Sequence, residues 1–254
     1  MSDDRTSQCD TGGRLLEAHV ASDRDRPFLL STPSEGGRGR PLVVALHGSG
    51  GTPVEMEEAT HLAARGRQAG VSVVLPSASD EIWHNFSTAD KPYLDAVIDL
   101  ALHRTCADRR AIVLVGFSNG GDEAQTMGCV EAQRWHAVVV VSSSTVPDLC
   151  RRGGPPVTLL RVHGLDDHVS PFTGRTGADP RDPVLPATAR WASYDGCRPR
   201  PVVRGTTRQW RGCAAGTSVE LIALPGQGHS WPTAPDVAGM VMDLAQGRDA
   251  GSAG

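Results

Sequence analysis

The apolar residues of this chain bunch into short runs separated by polar, glycine-rich stretches. Residues 42–46 read LVVAL, and comparable runs recur at 71–75, 111–115, 137–141, 157–162 and 219–224. A run of that length without polar alternation predicts a strand covered on both faces. Two earlier stretches, 15–20 and 27–31, predict short strands that open the sheet across a charged turn. Helix-compatible segments lie between the runs at about 54–67, 93–103 and 122–133, with two more near 186–194 and 235–245. Strand and helix in alternation predict an α/β fold with a mainly parallel sheet and helices on both faces. Residues 33–40 are a loop by composition, and 171–186, rich in Gly, Asp and Pro, form the longest loop. With no internal repeat and no separating linker, one domain over 14–246 is expected, with loose termini at 1–13 and 247–254.

Composition narrows the partners. A chain of 254 residues with 39% apolar content suits one large core. A net charge of −4, with 25 scattered basic residues, gives no electrostatic reason to expect nucleic acid or an anionic membrane. The pairs Arg109-Arg110 and Arg151-Arg152 read as solvated surface. No apolar run approaches the ~20 residues of a membrane span, and the start MSDDRTSQCD lacks a basic-then-apolar signal. Those features alone point to a soluble protein of the cytoplasm. The six cysteines, at 9, 106, 129, 150, 197 and 213, are even in number and lack metal spacing, so from the residues alone they are either bridged in an unspecified pattern or reduced core residues.

The chemistry starts at Gly116-Phe117-Ser118-Asn119-Gly120, which follows the run 111–115 and precedes a helical stretch. Strand, G-x-S-x-G, helix is the order of a nucleophile elbow, where a tight turn exposes a serine hydroxyl and flanking glycines let strand and helix approach. The pentapeptide alone is weak, and its context carries the inference. A serine nucleophile needs a base and a carboxylate to orient that base, in the chain order Ser, acid, His. The run 157–162 leads into His163-Gly164-Leu165-Asp166-Asp167-His168, and the run 219–224 into Gly226-Gln227-Gly228-His229-Ser230-Trp231. Ser118, an aspartate at 166 or 167, and His229 are the expected set. An oxyanion needs two fixed N–H donors. Asn119 supplies one, and the turn His47-Gly48-Ser49-Gly50-Gly51 the other, assigned to Ser49 with Gly50 as the alternative.

Together LHGSGG, GFSNGG, HGLDDHVSPF and GQGHSWP resemble the polyhydroxybutyrate depolymerase and feruloyl esterase family of α/β-hydrolases. The resemblance implies an α/β-hydrolase fold and a serine esterase without cofactor or metal. Counted from His163, the family pattern H-G-x-x-D puts the acid at Asp167, with V-S-P here where the family has V-P. It implies a cleft near Trp83, and Trp231 and His47 join Trp83 as candidate substrate contacts, although His47 and His163 at strand ends also suit structural hydrogen bonds. All six cysteines match positions in secreted relatives. That implies an exported enzyme with bridges Cys9–Cys106, Cys129–Cys150 and Cys197–Cys213. The implied substrate is an ester on a polyhydroxyalkanoate or an acylated plant polysaccharide. The rival readings are lactone opening or acyl transfer in biosynthesis, and a non-catalytic binding protein of the same fold.

Overall fold

A computed structural model describes residues 9–35, 38–145, 150 and 154–248. Arg151 and Arg152, expected as solvated surface, and most of the expected loose termini lie outside those residues. One ten-stranded sheet organises the rest, in the order β1-β2-β4-β3-β5-β6-β7-β10-β9-β8. Its parallel centre is β4 (Ser72–Pro76), β3 (Leu42–Leu46), β5 (Ile112–Phe117), β6 (Ala137–Val141), β7 (Thr158–Gly164) and β10 (Val219–Leu224). All five residues of β3 and of β6 are buried, as unbroken apolar runs require of strands covered on both sides. β1 (Leu15–Val20) and β2 (Asp23–Ser31) add antiparallel at one edge. A hairpin of β8 (Val202–Arg204) and β9 (Thr207–Trp210), which no apolar run announces, adds antiparallel at the other.

Two apolar layers sandwich the sheet. On one face Val97, Ile98, Met127 and Trp191 pack from α3 (Lys91–Thr105), α4 (Asn119–Val130) and α5 (Val184–Tyr194). On the other, Met56, Leu62 and Val241 pack from α1 (Pro53–Thr60), α2 (Leu62–Ala69) and α6 (Val237–Ala245). The single helix expected over 54–67 is therefore two. His61 takes a left-handed φ of 55° between them, and the Glu57 carboxylate accepts from Ala63 and Ala64 N–H at 2.6 and 3.0 Å, capping the second helix. The fold is that of an α/β-hydrolase, as the run pattern and motifs predict.

All six cysteines are bridged, as Cys9–Cys106, Cys129–Cys150 and Cys197–Cys213. Residues 9–13, expected to be loose, are tied down. Cys9 bonds to Cys106, Asp10 N–H donates to Arg104 O at 2.7 Å, and Gly12 and Gly13 N–H both donate to Pro33 O. Among the described residues no helix is long and apolar enough to cross a membrane.

Candidate active site

The carboxyl ends of β3, β5, β7 and β10 converge on one point, and each delivers a loop to it. Ser118 follows β5 at φ 53° and ψ −120°, a sparsely populated backbone region that only surrounding structure can hold. Two glycines make the turn possible. A Cβ on Gly116 would stand 1.9 Å from Gly120 O, and one on Gly120 would stand 2.4 Å from both Leu46 O and His47 O. The helix therefore starts in direct backbone contact with the ends of β3 and β5, and the hydroxyl is carried outward.

Three side chains from three loops meet there. His229 Nε2 lies 2.8 Å from Ser118 Oγ, and His229 Nδ1 lies 2.8 Å from Asp167 Oδ2. The second Asp167 oxygen accepts Val169 and Ser170 N–H at 2.9 and 2.7 Å. Burial works to raise the Asp167 carboxyl, but the His229 hydrogen bond, the Ser170 amide and both neighbouring histidines outweigh it and hold it below its ordinary value. Asp166 is exposed, its amide donating to Gln227 O, so the two aspartates separate cleanly by burial. His163 is fully buried, holds Ser170 O at 2.8 Å through Nε2, and is pushed down to about 4 by burial. It stays neutral and closes the acid-bearing loop.

In the turn after β3 two amides are engaged. Gly50 N–H donates to Glu81 O at 2.9 Å and Gly51 N–H to Gly48 O at 3.1 Å, whereas Ser49 N–H has no acceptor among the described residues. The alternative donor Gly50 is thus committed elsewhere. Asn119 N–H opens α4, where first-turn amides have no intrahelical acceptor. The Asn119 side chain is engaged separately, with Oδ1 accepting Trp83 N–H at 2.8 Å and Nδ2 donating to Trp83 O at 3.3 Å. That pairing seats residues 79–86 over the elbow.

The candidate substrate contacts divide. Trp83 is 1% exposed and donates Nε1–H to His47 O at 2.9 Å, so it buttresses the turn after β3 and cannot line a cleft. His47 is nearly as buried. Its Nε2 accepts Ala78 N–H at 3.0 Å, which leaves the proton on Nδ1 to donate to Gly48 O at 2.8 Å. Burial lowers its pKa and keeps it neutral. Only an edge of His47 reaches the cavity beside the serine. That cavity, about 350 Å³, is walled by Met56, Ala59, Phe117, His229 and Trp231 and by the Ser49–Thr52 turn. Phe117 and Met56 escape a sequence reading because one looks like strand core and the other like helix core. His84, for which no partner is expected from the sequence, lies 3.2 Å from Asp90.

Beneath α4 runs a buried polar network. Asp122 accepts from Ser143 Oγ and pairs with Arg181 at 3.3 Å, while buried Arg161 donates to Gln125 Oε1 at 2.5 Å and to Ser143 O. Burial pushes the Asp122 carboxyl up to about 6 and draws Arg161 down to about 10. Arg181 sits in the long loop before α5, so the network ties that loop to the helix that follows the serine.

No family model matches the chain. It is 29% identical over 157 residues to a probable feruloyl esterase C of Aspergillus oryzae, covering 59% of this chain and 58% of that protein. It is 26% identical over 193 residues to feruloyl esterase C of Emericella nidulans, covering 68% of this chain and 71% of that one. The chain thus spans less than two thirds of the length of the first relative. Among solved structures, acetyl xylan esterase from Aspergillus awamori has a TM-score of 0.70 at 15% identity, covering 91% of this chain and 100% of that one, a likeness of fold. The relatives bear out the resemblance to feruloyl esterases that the four motifs carry.

Proposed function

We propose that this chain is a serine carboxylic ester hydrolase that works through an acyl-enzyme, in one catalytic unit over 14–246. The observation that carries the reading is the unbroken series Ser118 Oγ, His229 and Asp167, with 2.8 Å at each link. Ser118 Oγ attacks the ester carbonyl carbon while His229 Nε2 takes its proton, and Asp167 stabilises the imidazolium that forms. The amides of Ser49 and Asn119 donate to the oxyanion. On collapse the C–O bond to the alcohol breaks, and Nε2 returns the proton to the departing oxygen. Water, deprotonated by the same nitrogen, then releases the acid and regenerates Ser118.

The substrate in this reading is an acylated plant polysaccharide, feruloylated or acetylated. What supports it is the pair of feruloyl esterase relatives, together with an apolar cavity beside the serine whose Trp231 and Phe117 walls suit an aryl or short acyl group. The three bridges support an exported enzyme. The test is turnover of p-nitrophenyl acyl esters, methyl ferulate, acetylated xylan and hydroxybutyrate oligomers by the oxidised protein and by Ser118→Ala. Hydrolysis of the ferulate or acetate esters is expected, with a loss of about 10⁶-fold in the variant and phosphonate labelling confined to Ser118. Labelling at another serine, or a variant that keeps its activity, would overturn the assignment. Preference for the hydroxybutyrate oligomers would move the substrate to a polyester.

A further inference from the structure

The far end of the sheet carries a charge anomaly. Between Gly196 and Val219 the chain has five arginines, at 198, 200, 204, 208 and 211, and no Asp or Glu, in a protein of net charge −4. All five fall within the loop closed by Cys197–Cys213, which staples the β8–β9 hairpin. None has a carboxylate partner among the described residues, and Arg211 Nε donates instead to Gln209 Oε1 at 2.7 Å. Arg198 lies over Gly212, beside Arg211, with its backbone N–H on Arg211 O at 2.9 Å. A single guard on an exposed edge strand would account for Arg204. It does not account for Arg198 and Arg211 at the base of the hairpin.

The hairpin walls an open groove of about 580 Å³ on the α6 face of the sheet. Strand alternation turns Arg204, Thr207, Gln209 and Thr158 into it, and Arg211, Ser218, His136, Glu220 and Arg248 add to the polar lining. The carboxylate among its lining residues, Glu220, is partnered, and the lining residue Arg248 pairs with Asp243. The groove starts at the amino end of β7, about 20 Å along the strand from the Asp167 end, so it is separate from the catalytic cavity.

We propose that this hairpin and groove bind an anionic polysaccharide through its uronate carboxylates. Guanidinium groups match carboxylates in a fixed fork, and interleaved hydroxyls and an amide suit the alternating hydroxyls of a sugar chain. The lining has no Phe, Tyr or Trp, which a single-stranded nucleic acid site would use to stack bases. The disulfide holds the arginines in one arrangement before the polymer arrives, which lowers the ordering cost of binding.

The test is retention of the full oxidised chain by fully de-esterified polygalacturonate, which carries no ester to cleave, at about 20 and 300 mM NaCl. Carboxyl-reduced polygalacturonate and duplex DNA are the comparison polymers. Retention at low salt, loss at high salt, and no retention on the reduced polymer are expected. Arg204→Gln/Arg211→Gln should weaken binding by at least about tenfold, while turnover of p-nitrophenyl acetate is unchanged and shows the fold intact. Equal binding by the variant, equal retention on the reduced polymer, tighter binding to DNA, or no retention at low salt would each overturn the proposal. Binding is read without turnover, so failure here leaves the esterase reading standing, and the converse also holds.

Discussion

Glu123→Gln should flatten the dependence of stability on pH. Glu123 lies on α4 with no exposure, and neither carboxylate oxygen has a hydrogen-bond partner among the described residues. Burial, followed by the negative charges of Asp90 and Asp122, pushes it up to about 8 from 4.5. A folded value above the unfolded one means that its contribution to stability is complete below about 4.5 and is lost as pH rises through 8. At about 1.4 kcal/mol per pH unit, that interval corresponds to about 5 kcal/mol at pH 9 relative to pH 4.5. Guanidinium unfolding of the oxidised protein and the variant at pH 5, 7 and 9 measures it. The buried Gln amide adds an offset at every pH, so the decisive quantity is the difference between the two slopes. The wild type should lose several kcal/mol relative to the variant between pH 5 and 9. Parallel profiles would show that the carboxyl is solvated or paired in the folded protein and that its burial is misread.

Asp167→Asn should lower kcat by about 10⁴-fold and Asp166→Asn by less than about tenfold, because only the aspartate on His229 Nδ1 fixes the imidazole tautomer; the reverse ranking in steady-state kinetics would move the acid. Gly120→Ala drives a methyl group into two carbonyls at the end of β3 at 2.4 Å and should cost more than about 3 kcal/mol, read as loss of soluble yield and Tm; a wild-type Tm would refute the contact. Cys197→Ala/Cys213→Ala opens a loop of 16 residues, worth about 3 kcal/mol and about 6–12 °C in Tm for a chain of this size; an unchanged Tm by calorimetry would count against the bridge as a stabiliser.

The sequence was legible where burial is uniform. Strands such as Leu42–Leu46, covered on both faces, can only be apolar throughout, so their runs stand out against polar connections. The hairpin at 202–210 escaped because its three- and four-residue strands sit at an edge, where β8 is exposed along its whole length and nothing demands an apolar run. The break at His61 escaped because a side-chain carboxylate makes it, and neither Gly nor Pro marks it. Of the site residues, Ser118, His229 and Asp167 could be placed because a strand end precedes each one. Adjacent aspartates look alike to strand-end position, and it is burial that separates them. Trp83 misled because a tryptophan near a cleft reads the same whether it lines the wall or stands behind it. The acidic pair Asp122 and Glu123 on α4 carries no mark of its burial, since nothing in one sequence reveals that Arg161 and Ser143 lie beneath that helix.

The tie between Arg181 and Asp122 has a consequence for anyone reshaping this protein. Residues 171–183 look like an interchangeable surface insert, yet one of their fastenings is a carboxylate four positions after Ser118 on the helix that the serine opens. A replacement segment from a relative would arrive without its anchor unless the position of Asp122 were exchanged with it. Left alone, that aspartate would become a buried acid with one partner fewer, directly behind Ser118. Segment and helix turn are therefore one heritable unit, and libraries that diversify them jointly should retain folded members that loop-only libraries lose.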